Sequence, residues 1–573
     1  MSLTSALYTA NSALTASQIG LSVTSQNLSN AATPGYTRQV ARLEAVRGRI
    51  SDPNMIGSGV AVQEVRRQID ESLRTRLWNA ESDEFGSAQR RGVFDQLETI
   101  LNEGTEFDLS SELAGFFDVW SEATTLADSS STLRNQGRTL AGFMRNMRSD
   151  LMDQRAQIEA QIDAQVNQAD SLFSEIASIN GTISNRELGS TQASALRDRR
   201  DNIITELSQL MDVTVSENNQ GSFDVYVGST PIVQGTVSRG ITVDRVATDE
   251  GLTARVAVSD NLDTLGVSTG SIGGLLETRT GAIDATLSSL DSIAADLIFE
   301  VNKLHSTGAN EAWLTESRGT LRIEPDNRIL ALNDPENTDL AELPYAPENG
   351  GFFVNVRNED TGNSDQIFIP VDLDGIDSTG LPGTADDTTA EDIRAALDSV
   401  SGLSAGFDGS GRLSITADTG FSYAFSDDSS GVLATLGVNS FLTGTDASSI
   451  GVSEDSEILL GRVGVDGSFN ANANALRISE LAGKASESLG GRSVTRFWAD
   501  HAQDIAVQSG SARTQADADK LVRENLESQR AAVSGVSVDE ESINMLTYQR
   551  QYQGAAQVIT ATQEMFDTLI ALV

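Results

Sequence analysis

Leu7, Leu14, Leu21 and Leu28 recur every seven residues at the start of this chain, with Leu3, Ala10, Ser17 and Thr24 between them in 4-3 alternation. The other end repeats the pattern with Met545, Tyr548, Tyr552, Ala555, Ile559, Thr562, Phe566, Leu569 and Val573. A 3.5-residue apolar repeat draws a seam along a helix, and a seam needs a partner helix. Both ends are also nearly free of charge, although the chain's formal charge is -42, from 82 acids against 40 bases. No Asp or Glu precedes Glu44, and from Ser542 onward the only charged side chains are Arg550, Glu564 and Asp567. Chain ends are usually solvated. These are predicted to be buried, against each other and against other copies of the chain. One stripe of leucines does not offset the entropy of ordering its own helix. Both ends are therefore expected to be mobile in a monomer and to order on assembly.

The 573 residues call for about two to four domains. No apolar run approaches the ~18 residues of a membrane span. The first residues lack the basic and continuously apolar segments of a cleavable signal peptide. The acidic excess, with only Lys303, Lys484 and Lys520 as lysines, repels nucleic acid and anionic membranes. Neither nucleic acid nor membrane insertion is therefore expected. Absence of Cys excludes disulfides, thiolate metal sites and a cysteine nucleophile, and suits a chain kept unfolded for export.

Between the stripes the periodicity changes along the chain. A Pro34-Gly35 break ends the first helix, and a stretch punctuated by Gly48, Gly57 and Gly59 carries an alternation from Val60 to Val65 that reads as extended or hairpin. Helical spacing dominates from about 86 to 212, most clearly in Leu151, Ile158, Ile162, Ala169, Leu172, Ile176 and Ile183. Period-2 patterns follow at Val213-Val215 and Phe223-Val225-Val227, separated by the turn-rich Glu217-Gly221. A second helical region covers about 271 to 305. Residues 310 to 465 are rich in Gly, Asp, Ser and Thr with strand-like alternations, interrupted by one helix whose capping box is read as Thr388 and Glu391. The last helix starts at Ser537 with Glu540 as capping partner.

The predicted fold is multidomain, with three parts. An α-helical coiled-coil terminal domain comprises 1–45 and 535–573. A long-helix bundle domain comprises 46–212, 263–309 and 466–534. One or two inserted β-rich outer domains comprise 213–262 and 310–465.

After the first stripe comes Asn27-Leu28-Ser29-Asn30-Ala31-Ala32-Thr33-Pro34-Gly35-Tyr36-Thr37-Arg38-Gln39, a helix stop followed by a hard turn. The block resembles the N-terminal signature of the flagellar rod, hook and hook-associated proteins. Ser534 to Tyr552 resembles the matching C-terminal signature, and Met565-Phe566-Asp567-Thr568-Leu569-Ile570 fits the same family. Chain length, Tyr36-Thr37-Arg38-Gln39, Ile272 to Arg279 and Val301 to His305 point within it to a hook-associated member that joins hook to filament, ahead of a hook or distal rod protein. The resemblance implies an extracellular protein of the bacterial flagellum, exported through the flagellar type III channel. It implies a homo-oligomer in a helical or ring assembly, contacting the hook protein and the next hook-filament junction protein. An export chaperone of the FlgN kind would hold the C-terminal helix.

On this reading Leu3, Leu7, Leu14, Leu21 and Leu28 pack an inner tube with Tyr548, Tyr552, Ile559, Phe566 and Leu569. Asn27, Asn30, Thr33, Gly35 and Tyr36 shape the break. The chain is read as no enzyme, with no cofactor and no metal site. It lacks H-E-x-x-H and P-loop motifs. A secreted enzyme or adhesin with a flagellar export region is the remaining alternative of a different class. Asp372, Asp374, Asp377, Asp386 and Asp387 do not fit the EF-hand loop and are read as solvated turn acids. His305 and His501 are read as structural or surface residues.

Overall fold

A computed structural model describes residues 3–46, 57–105, 107–125, 129–187, 192–218, 221–248, 251–454, 456–464 and 467–571. Gly48, Val573 and part of the Glu217-Gly221 turn lie outside them. The architecture combines long helices at both ends and in the first third with several small sheets in the middle. No helix among the described residues is long and apolar enough to cross a membrane. The chain divides into two compact units, residues 1–93, 157–279 and 509–573 in one, and 94–156 and 280–508 in the other.

The first unit holds the N-terminal helix Leu3–Ser29 and the C-terminal helix Val538–Ala571. Strands Gln39–Ala45 and Val60–Arg67 pair antiparallel beside them, so the Val60–Val65 alternation is one arm of a hairpin. A four-stranded meander follows in chain order from Thr214 to Ser238. Its centre is Phe223, with the Arg200 guanidinium 3.4 Å above the ring and Trp78 edge-on at 6.4 Å. Asn180 braces the same strand, accepting from Phe223 N at 3.0 Å and donating to its carbonyl at 2.8 Å. Helix Gly270–Thr278 carries Gly274 because a Cβ there would stand 2.5 Å from the Gly86 carbonyl. Only a bare Cα admits so close a backbone crossing.

The second unit includes helix Leu109–Glu122, capped by Asp108, which accepts from Ser111 N at 2.7 Å. Leu109, Leu113, Phe116, Phe117 and Trp120 recur at helical spacing and are all buried. Trp120 meets Phe441 edge-on at 5.1 Å and His305 at 6.2 Å. His305 is fully buried, with Nδ1 on the Asn439 carbonyl at 2.6 Å and Nε2 accepting from Leu459 N at 3.1 Å. Asn302, one turn earlier, accepts from Phe441 N and Leu442 N and donates to the Leu442 carbonyl. The Val301–His305 segment thus works as a backbone clamp on 439–442 and 459.

Two three-stranded sheets complete this unit, Ser364–Val371 / Gly350–Asn358 / Phe421–Ser426 and Leu403–Phe407 / Arg412–Ala417 / Glu316–Arg322. Phe352, Val354, Leu397, Ile415, Tyr423 and Phe425 fill their shared core.

Two local expectations are corrected. The capping box sits one residue later than read: Thr389 accepts from Asp392 N at 3.1 Å, and Asp392 accepts from Thr389 N at 3.0 Å. Thr388 is occupied elsewhere, accepting from Asp372 N at 2.8 Å. Asp387 is not a solvated acid: it is 3% exposed, because the chain turns inward just before that helix.

Candidate assembly site at the joined chain ends

The two signature blocks meet. Asn27 is buried, and its amide makes four hydrogen bonds. Oδ1 accepts from Tyr36 Oη at 2.8 Å and Gln39 N at 3.0 Å, and Nδ2 donates to the Gln39 carbonyl at 2.9 Å and Glu541 Oε2 at 3.1 Å. That is the full capacity of an asparagine side chain. Glu541, 2% exposed, receives the Arg38 guanidinium at 2.8 Å, while Arg38 reaches Glu540 at 3.2 Å and donates from its backbone to the Ser534 carbonyl at 3.0 Å. Glu540 N lies 3.4 Å from Ser537 Oγ, so Ser537 supports the helix start while the Glu540 carboxylate serves Arg38. Asp539, Glu540 and Glu541 sit in the first helical turn, where the exposed amides favour negative charge.

Burial pushes the Tyr36 hydroxyl up to about 12, and the negative charges of Asp198 and Glu541 add to it. It is a donor at any physiological pH. Asn30 and Thr33 do local work: Thr33 Oγ1 donates to Asn30 Oδ1 at 3.3 Å, and Asn30 Nδ2 donates to the Gln26 carbonyl at 2.9 Å. Gly35 takes φ +74° against the Asn202 side chain. The break is tied down further on, where Arg67 pairs with Asp198 and Asp201, each at 2.8 Å.

The terminal helices run antiparallel. Asn27 faces Glu541, and one heptad back Gly20 faces Tyr548, whose ring carbons would stand 2.6 Å from a Cβ at position 20. The side chains buried along the N-terminal helix are mostly small: Ala10, Ala16, Ser17, Gly20, Val23 and Thr24, with Ala555 and Thr562 opposite. Leu3, Leu7, Leu14, Leu21 and Leu28 are only half-buried, as are Tyr548, Tyr552, Ile559 and Phe566, while Leu569 is exposed. Ile543, Leu546, Val558, Met565 and Ile570 leave more apolar surface open on the C-terminal helix. A groove of about 570 Å³ runs between the two helices and the hairpin, lined by Ala6, Ala13, Val60, Gly554 and Val558 among others.

The structure thus brings Asn27, Tyr36 and both helices together, and keeps Asn30 and Thr33 in their own turn. Sequence reading did not single out Arg38, Glu541 or Gly20. The signal for the first two was Arg38 as the first charged side chain of the sequence and the acidic run Asp539-Glu540-Glu541 at the start of the other terminal helix.

Three family models match successive parts of the chain. Flagella basal body rod protein matches 7–37, flagellar hook-associated protein FlgK helical domain matches 94–312, and flagellar basal body rod FlgEFG protein C-terminal matches 527–572. Flagellar hook-associated protein 1 of Escherichia coli (strain K12) is 23% identical over 99% of this chain and 100% of its own length. The protein of the same name from Bacillus subtilis (strain 168) is 24% identical over 98% of this chain and 97% of its own. Over nearly its whole length the chain is similar to flagellar hook-associated protein 1 of these bacteria. A solved structure described as the flagellar hook junction protein FlgK from Burkholderia pseudomallei aligns with TM-score 0.47 and 15% identity, over 80% of this chain and 100% of that one. The basal body rod matches cover most of both terminal helices and the Asn27–Glu541 contact, so the clasp lies in the part of the chain shared with other axial flagellar proteins.

Proposed function

We propose that this chain is a structural junction protein of the bacterial flagellum, located outside the cell, that connects hook to filament by polymerising rather than by chemistry. The observation that carries this reading is the match to hook-associated protein 1 relatives over 98–99% of the chain. The geometry fits it: two helices clasped at one point offer half-buried leucines and exposed apolar side chains to neighbours. In the assembly, residues 1–45 and 535–573 form the inner tube. Leu3, Leu7, Leu14, Leu21 and Leu28 pack there with Tyr548, Tyr552, Ile559, Phe566 and Leu569 of adjoining copies, and the Asn27–Tyr36 block fixes how the tube joins the rest. Residues 46–212, 263–309 and 466–534 form the bundle, and 213–262 and 310–465 carry the outward acidic surface. The partners are further copies in a helical or ring array, the hook protein, the next junction protein and a FlgN-like export chaperone on the C-terminal helix.

A strain lacking the chain should secrete flagellin and keep intact hooks that bear no filaments, and the labelled chain should lie at the hook tip. Label along the hook body would assign it to the hook instead, and normal filaments in the deletion strain would overturn the junction role.

A further inference from the structure

The excursion between strand Ser364–Val371 and helix Ala390–Asp398 closes on itself. Asp372 N donates to Thr388 Oγ1 at 2.8 Å, and Thr388 N donates to the Asp372 carbonyl at 2.7 Å. This double tie returns Asp387 to the start of the loop, where Asp372, Asp374 and Asp387 each place a carboxylate oxygen within 4.8 Å of the others. Asp372 and Asp374 are exposed, but Asp387 is 3% exposed. Its Oδ2 accepts from Asn333 Nδ2 at 2.7 Å, while its Oδ1 is buried without a hydrogen-bond partner among the described residues. The Oδ1 of Asn333 is likewise buried without a donor. No Arg or Lys among the described residues pairs with any of the three carboxylates.

A buried carboxylate with an unfilled oxygen and two like charges alongside is strongly unfavourable. Acceptors outnumber donors here, so what the arrangement lacks is a positive charge. We propose that Asp372, Asp374 and Asp387 form a Ca²⁺ site. The donor set is all oxygen, as a hard cation requires. Oxygens sharing one ion at ~2.3–2.6 Å stand no more than about 5 Å apart, and the three carboxylates meet that requirement. Ligands drawn from both ends of a long loop, with two positions open to water, suit the loose six- to eight-fold shell of calcium better than the strict octahedron of magnesium. The ion would staple the loop to the buried end of helix Ala390–Asp398. The site is independent of the terminal helices and of the junction reading.

The test is calorimetric titration of the full chain with CaCl₂ after exhaustive chelation. One saturable site per chain is expected, with an affinity of about 0.1–1 mM, the range of extracellular calcium modules. D372N/D374N alters only exposed side chains, so it should keep the circular dichroism spectrum and calcium-free melting temperature of the parent while losing at least tenfold in affinity. Asp387→Asn should abolish binding. Absence of saturable binding up to 10 mM, or equal binding by D372N/D374N, would show only diffuse attraction to an acidic surface and would overturn the site. MgCl₂ binding as tightly as CaCl₂ would overturn the calcium assignment.

Discussion

Asn27 is the residue on which both chain ends depend, because its four hydrogen-bonding positions are filled by Tyr36, by the backbone N–H and C=O of Gln39, and by Glu541. Asn27→Ala leaves the Tyr36 hydroxyl, the Gln39 amide and one oxygen of Glu541 without their partner, at a cost of about 1–3 kcal/mol for each buried group left unpaired. Amides near Gln39 and Glu541 should then exchange hydrogen much faster while the 350–440 region keeps its protection. Asn27→Asp should be worse than alanine, since it sets a second carboxylate against Glu541. His305 offers a separate test in the other unit. Burial above all, with the nearby Arg134 charge, lowers its pKa from 6.5 to about 4, against the Asn439 hydrogen bond. Between those values the unfolded chain holds a proton that the folded chain does not. The corresponding stability is fully present above pH 6.5 and drains away as pH falls toward 4. It amounts to about 3 kcal/mol. Asp296 and Asp428, raised by burial, slope the opposite way but are common to parent and variant. Melting curves of the parent and His305→Gln should therefore converge as pH is lowered from 7 to 4, and parallel curves would contradict the assignment.

At the scale of elements, the antiparallel pair is held by small contacts. Ala10, Ala16 and Ala555 bury about one methyl each, worth ~0.8 kcal/mol per carbon, against about 1.5–3 for a leucine. The close approach depends on Gly20 beneath the Tyr548 ring. Gly20→Leu should push the helices apart and raise exchange along the N-terminal helix. Tyr548→Ala in the same chain should restore part of the protection, and a further loss would mean that the ring does not limit the approach. The sequence shows both helices through their stripes, and the 57-residue helix Ser130–Arg186 through its apolar spacing. It does not show which side of the terminal stripe is buried within the chain. Positions 10, 17 and 24 share the seam with the leucines, and an apolar repeat does not distinguish a contact made by small residues from one made by large ones. Nor does it show Asn27 against Glu541 or Asp387 against Asp372. These pairs are made by tertiary closure of long chain segments, and a carboxylate in a Gly- and Thr-rich loop carries the same local signal whether it faces water or the core.

For the whole molecule, the consequence is a division of labour between side chains on one helix. The small residues join the two ends within a chain, and the larger ones stay half-exposed, open on the proposed reading to neighbouring copies. Leu14→Asp and Phe566→Asp separate these roles. In the monomer each change falls on a partly solvated position, where substitutions usually move stability by less than about 1 kcal/mol. Melting temperature and secretion should stay near those of the parent. In the assembly the same carboxylates would face apolar surface on adjoining copies, where an unpaired charge costs several kcal/mol, repeated at every subunit contact. Cells carrying either variant should release flagellin and bear hooks without filaments, whereas Asn27→Ala should loosen the clasp already in the monomer. If Leu14→Asp or Phe566→Asp instead melted the isolated chain as strongly as Asn27→Ala, these side chains would serve the chain's own fold. The polymer would then have to be held by other surfaces.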